Sequence, residues 1–263
     1  RPVRFDLDQL DPALAPVIGK MSLSGLGISG SRRHDEFDPR GAEKIPDQRG
    51  PETSHAIRNS LTLTVSRECV LPSVSHQMLE DRLIALRHRG WSGFSVKSWC
   101  VGDLDLSAYL LSRGSFDPKV TPQSALVDLV NPVCGEGISD RVAKAFELIE
   151  QATTLIDEND LGFSFPMPGM IMKHYESEQP IPEWWGKVRD GYLNAMNEMY
   201  RANTRAREGG RSYTLYLARR FEFGFEYMNC VEAVRKAGLA KRKGDTETQL
   251  AELEKAIEAL HGG

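Results

Sequence analysis

Residues 93–118 read GFSVKSWCVGDLDLSAYLLSRGSFDP, and the reading of the fold turns on this stretch. Gly93 to Val101 reads as a strand, with Phe94 and Val96 alternating with Ser95 and Lys97. Leu106 to Arg113 then takes helical spacing, with Asp105 standing where an N-cap belongs. Upstream, Leu61-Thr62-Leu63-Thr64-Val65 alternates apolar and hydroxyl side chains, a second strand pattern. Between the two, Ser75 to Arg89 has helical spacing at Met78, Leu79, Leu83 and Leu86, and Gly90 supplies a stop. A strand, a helix and a strand within this length predict a parallel pair joined by a right-handed crossover.

Outward from this unit the two sides differ. Toward the N-terminus, Leu10 to Met21 predicts a short helix interrupted by Pro12 and Pro16, Leu23 to Ile28 a short glycine-containing strand, and 29–59 a polar connection. From Pro118 onward the period is helical. Ser139 can cap a helix with the stripe Val142, Phe146, Ile149, Ala152 and Ile156. A second helix follows Pro182, with Trp185, Val188, Tyr192, Met196 and Met199 on one face. A third, from about Ser212 to Ala237, is apolar on two faces, as a central bundle helix is. The last carries Leu250, Leu253, Ile257 and Leu260, with Thr246 and Gln249 spaced as a capping box. Gly209-Gly210 and Lys243-Gly244 read as short turns, so the last three helices should alternate in direction. The expected fold class is α/β then mainly α. The last strands and helices of a parallel (β/α)8 barrel, incomplete in this chain, occupy 1–117, and an antiparallel helical bundle occupies 118–263.

Composition excludes several classes. The 263 residues carry a net charge of −4, without the basic surplus that nucleic-acid binding calls for. No run of eighteen apolar residues offers a membrane span. Cys69, Cys100, Cys134 and Cys230 form no CxxC pair, and there is no HExxH, so no metal is expected. GxGxxG, GxxxxGK[ST] and GxSxG are also missing, so no cofactor is expected. The chain begins at Arg1 with no apolar leader, which suggests a processed protein or a piece of a longer one. Localisation is not legible.

Strand parity sorts the candidate chemistry. If Leu61, Leu63 and Val65 face outward, then Thr62, Thr64, Ser66 and Glu68 face inward. If Phe94 and Val96 face outward, Ser95, Lys97 and Trp99 face inward. The inward set then ends in a carboxylate and an indole, which can handle protons and stack on a sugar face. Glu68 is the candidate catalytic carboxylate; Trp99, Lys97, Asp103 and His76 are candidate substrate-binding residues. A surface carboxylate at Glu68, packing at Trp99 and a structural ion pair at Lys97 are the plainer alternatives. Residues 159–182, rich in Met, Phe and Pro, read as a lid or as packing on the bundle. Six arginines between Arg201 and Arg220 suit an acidic partner, an anionic sugar or simply a solvated bundle end.

The order strand, Glu-containing loop, helix, then Lys-Ser-Trp99-Cys-Val-Gly-Asp103-Leu-Asp105 and Ala108-Tyr109-Leu110-Leu111-Ser-Arg-Gly-Ser-Phe116-Asp117-Pro118 resembles the end of certain carbohydrate-active barrels. These are α-glucuronidase-like and family 20 hexosaminidase-like glycoside hydrolases with a helical C-terminal domain. The resemblance covers about Leu61 to Pro118, and the later helices by arrangement only. It implies a carbohydrate substrate, carboxylate acid/base cleavage of a glycosidic bond at the barrel mouth, and Trp99 lining the sugar pocket. The earlier strands that supply part of the catalytic apparatus in such enzymes are missing here. The rival expectation is a non-catalytic helical interaction or carbohydrate-binding module.

Overall fold

The computed structural model describes residues 71–88, 105–159, 161 and 167–262, together with the backbone of residues 3–6, 26–30, 57–62 and 93–97. Eight helices make up its body. They are α1 (His76–His88), α2 (Asp105–Phe116), α3 (Pro122–Cys134), α4 (Ser139–Glu158), α5 (Pro168–Tyr175), α6 (Glu183–Arg205), α7 (Glu208–Arg242) and α8 (Thr246–Gly262). Four short strands, β1 (Val3–Asp6), β2 (Leu26–Gly30), β3 (Ile57–Thr62) and β4 (Gly93–Lys97), pair in parallel in that order.

The expected (β/α)8 barrel is overturned. Among the described residues the fold is almost wholly helical, and the strands of four to six residues leave β1 and β4 as unpaired edges. A closed barrel needs about eight tilted strands in staggered register. A five-residue alternation specifies a strand but says nothing of how many neighbours its sheet has. The only strand side chain described, Phe94, is half-buried against the helical core.

That core is continuous from Leu71 to Val231. The two predicted stripes build it: Val142, Phe146, Ile149, Ala152 and Ile156 from α4 and Trp185, Val188, Tyr192 and Met199 from α6 are buried, with Met196 half-buried. The 35-residue α7 runs through the middle and buries Leu217, Phe221, Met228 and Val231. Its start differs from expectation, because Gly209 and Gly210 lie inside its first turn. Gly210 lets α7 close on the end of α3, where an added Cβ would fall 2.5 Å from the Cα of Cys134. Gly224 does the same for α6, passing directly under the ring of Tyr192. Both helices are then tied by polar atoms. The Tyr192 hydroxyl donates to the Pro72 carbonyl at 2.8 Å, and the Trp185 indole donates to the Met228 carbonyl at 3.1 Å.

The C-terminal helix also departs from its pattern. Asp245, and not Thr246, accepts the Thr248 N–H at 3.0 Å, while the Gln249 amide reaches the Tyr175 hydroxyl at 2.9 Å. Ala256 and Ala259 face α7, whereas Leu250, Ile257 and Leu260 are each more than half exposed. Small side chains let two helices approach closely, so the alanine face won the contact and the bulky stripe was turned aside. The predicted 159–182 connection contains α5, whose Ile171 and Tyr175 pack on the bundle.

Two glycine substitutions separate close packing from helix propensity. A Cβ at Gly224 would lie 2.6 Å from the Tyr192 ring, so Gly224→Ala should cost about 1–3 kcal/mol by overpacking. Nothing lies within 4 Å of a Cβ at Gly186, so Gly186→Ala should stabilise by up to about 1 kcal/mol. Urea unfolding of the two variants measures both signs, and a stabilised Gly224→Ala would refute the contact.

Candidate ligand cleft

Three of the predicted site residues, Glu68, Trp99 and Asp103, lie outside the described residues. Lys97 ends β4 opposite Thr62 of β3, and its side chain lies outside them too. His76 is described, and it is buried. It opens α1 at 4% exposure, with its ring edge-on to Phe146 at 5.3 Å. Burial lowers its pKa from the ordinary 6.5 to about 4, and its Nε2 has no partner among the described residues. The α1 N-terminus around it is held by α4. Glu150 accepts the Gln77 N–H at 3.0 Å, and the Thr153 hydroxyl accepts the Val74 N–H at 3.1 Å. Burial raises the Glu150 pKa, and the backbone N–H groups of Gln77 and His76 pull it back down. A carboxylate at a helix N-terminus is well placed against the macrodipole.

A cleft of about 370 Å³ opens where the α5–α6 connection crosses α7. Pro180, Ile181 and Pro182 form one wall, Glu183, Gly186 and Arg189 of α6 a second, and Glu232, Arg235 and Lys236 of α7 the third. The two prolines fix an extended approach to α6 and supply no side-chain cap, and the Trp185 N–H of the first turn donates back to the Pro182 carbonyl at 3.1 Å. Gly186 leaves the wall bare, since nothing stands within 4 Å of where its Cβ would be.

The charges in the cleft are unequally matched. Glu232 accepts from Arg189 at 2.9 Å and from Lys236 at 2.7 Å, which neutralises much of that side. Arg189 also meets Asp190 at 3.2 Å. Arg235 differs. Its Nη1 donates to the Pro180 carbonyl at 3.2 Å and its Nη2 lies 3.1 Å from the His174 Nδ1. A guanidinium can only donate, so Nδ1 must accept and the His174 proton sits on Nε2. Burial, and then the Arg235 charge, lower the His174 pKa to about 4, so the ring is neutral at pH 7. The His174 ring also approaches Trp185 edge-on at 6.1 Å. Arg235 Nε is buried without a partner, and Arg235 has no carboxylate partner among the described residues. Burial without a counter-ion lowers its pKa, although the group stays protonated.

The sequence pattern does not mark this site. Arg235 stands in the Val234-Arg235-Lys236 run of a long helix, where a basic side chain reads as solvated surface. Only Pro180–Pro182 and His174, within the segment read as a possible lid, signalled that chain crosses α7 here. Among the described residues no group of three or more His, Cys, Asp or Glu is placed to hold a metal. The cysteines in view, Cys134 and Cys230, are buried free thiols. No protein-family model and no curated protein matches the chain.

Acid should weaken the fold through its buried imidazoles. The unfolded chain takes up a proton at His76 near pH 6.5, whereas the folded chain resists it until about pH 4. The unfolded state therefore binds more protons within that window, and stability falls as pH drops through it. The loss at His76 should total roughly 3 kcal/mol, with His174 adding loss of the same sign. His76→Phe should flatten the fall in urea midpoint between pH 7 and 4.5; an unaltered slope would mean that His76 is not buried neutral.

Proposed function

We propose that the helical body is a binding module that takes a small carboxylate-bearing ligand in this cleft, anchored by Arg235. The carrying observation is the guanidinium itself, half-buried, fixed by two neutral acceptors and left with donors that no carboxylate occupies. A carboxylate supplies the missing charge and accepts two N–H groups at once. The N-terminal end of α6, which lines the cleft without a side-chain cap, favours the same sign of ligand. Binding, and not hydrolysis, fits the described groups. Glu232 is held by two cations, and Glu183 has no second carboxylate in the cleft that is free to share proton transfer. The expectation of glycosidic cleavage rests on Glu68 and Trp99. Sugar acids are the first ligands to try, because residues 61–118 resemble carbohydrate-active enzymes and an anionic sugar carries the required carboxylate.

Titration calorimetry of the full chain with hexuronic acids and with the matching neutral hexoses tests the assignment. The uronic acids should bind and the neutral sugars should not. Arg235→Gln should weaken binding about 10- to 100-fold, as expected for one charged hydrogen-bonded contact of about 1.5–3 kcal/mol. Gly186→Phe should abolish it by filling the bare wall. Equal affinity for charged and neutral sugars, or unchanged binding in Arg235→Gln, would contradict the proposal.

A further inference from the structure

Within the cleft, all but two of the charges are matched. Glu232 gives one carboxylate oxygen to Arg189 at 2.9 Å and the other to Lys236 at 2.7 Å. Arg189 turns its Nη1 to Glu232, and its Nε and Nη2 to Asp190 at 3.3 and 3.2 Å. Two cations therefore meet two carboxylates, and that network has no charge left over for a ligand. What remains is Arg235 on the α7 wall and Glu183 on the α6 wall, of opposite sign.

Glu183 opens α6, is exposed, and makes no ion pair among the described residues. Gly186 follows three residues later on the same face of the helix, and nothing stands within 4 Å of where its Cβ would be. The space beside the Glu183 carboxylate is therefore open to the cleft. Arg235 does not close it, because its Nη1 and Nη2 are held toward the α5–α6 connection by the Pro180 carbonyl and the His174 Nδ1. A volume of about 370 Å³ lies at the small end of ligand pockets and suits one ring or one short chain. Both unmatched charges thus face a single small molecule.

We infer that this molecule is a zwitterion, with its carboxylate on Arg235, a protonated amine on Glu183, and its apolar side against Pro180, Ile181 and Pro182. The inference rests on the carboxylate reading of the cleft and narrows it. A ligand with a carboxylate alone satisfies Arg235 but brings a like charge into the space that Glu183 faces. An amine on the same ligand turns that repulsion into attraction. The full charge of Glu183 exceeds the roughly half charge at the start of α6, so a cation beside it is still attracted. Among sugar acids the class is the amino uronic acids.

Titration calorimetry of the full chain at about pH 6, where a ligand amine is protonated, tests this with three ligands. They are a hexuronic acid, its 2-amino-2-deoxy derivative, and the N-acetylated form of that amine, which has lost the charge. The amine should bind about two- to fivefold tighter than the parent acid, as suits an ion pair at an open mouth, and the gain should shrink as salt is raised. The N-acetylated form should show no gain. Glu183→Gln should bring the amine and the parent to equal affinity, whereas Arg235→Gln should weaken both and keep the gain. Circular dichroism checks that each variant is folded, and the comparison of the three ligands on the unaltered chain decides the matter even if one is not. Parent and amine binding equally well would overturn the zwitterion and leave the carboxylate reading standing. So would a gain kept by the N-acetylated form or surviving in Glu183→Gln. Binding by none of the three would overturn both.

Discussion

Tyr192 is the contact on which the rest of the described structure depends. Its ring occupies the space where a Cβ on Gly224 would stand, 2.6 Å away, so α6 and α7 approach more closely there than a side chain would allow, and its hydroxyl reaches the Pro72 carbonyl 120 residues away in sequence. One side chain therefore sets the spacing of the two longest helices and anchors the segment that leads into α1. The ring is wholly buried, so its hydroxyl must be satisfied inside the protein, and the proline carbonyl does this without competing for a ladder bond. Around that point Trp185 bonds to the Met228 carbonyl, and Thr153 and Glu150 of α4 hold the backbone of residues 74–77. The packing of α6 on α7 also positions the α5–α6 connection over α7, where the cleft forms.

The helices were legible because burial on one side of a helix repeats with its turn. The α4 and α6 stripes point inward nearly residue for residue, and α7, apolar on two faces, is the central helix. Two kinds of information were not legible. The first was which of two apolar faces a helix spends on its neighbour: in α8 the leucine stripe looked decisive, yet Ala256 and Ala259 make the contact. The second was why a glycine is present. Gly209-Gly210 reads as a turn, whereas Gly210 stands in a helix because α3 leaves no room for a side chain.

The candidate chemistry divided in the same way. Parity along two short strands gathered Glu68, Lys97 and Trp99 but could not show how wide their sheet is, and a barrel was inferred where the described fold is a helical body beside a short open sheet. His76, a substrate-binding candidate by sequence, is a core imidazole buried against Phe146 of α4. Arg235 could not be found by pattern, because its role comes from what is missing around it. A carbonyl and a neutral histidine position the guanidinium, while the nearby carboxylate Glu232 is taken by Arg189 and Lys236.

The account stands or falls on the Tyr192 clamp. Removing only the hydroxyl, in Tyr192→Phe, leaves the Pro72 carbonyl buried without that donor at a cost of about 1–3 kcal/mol. Amide hydrogen exchange, followed residue by residue, reads where that cost falls. The account predicts faster exchange concentrated in residues 71–88, with α8 protected as before; protection unchanged at 71–88, or lost evenly along the chain, would contradict it.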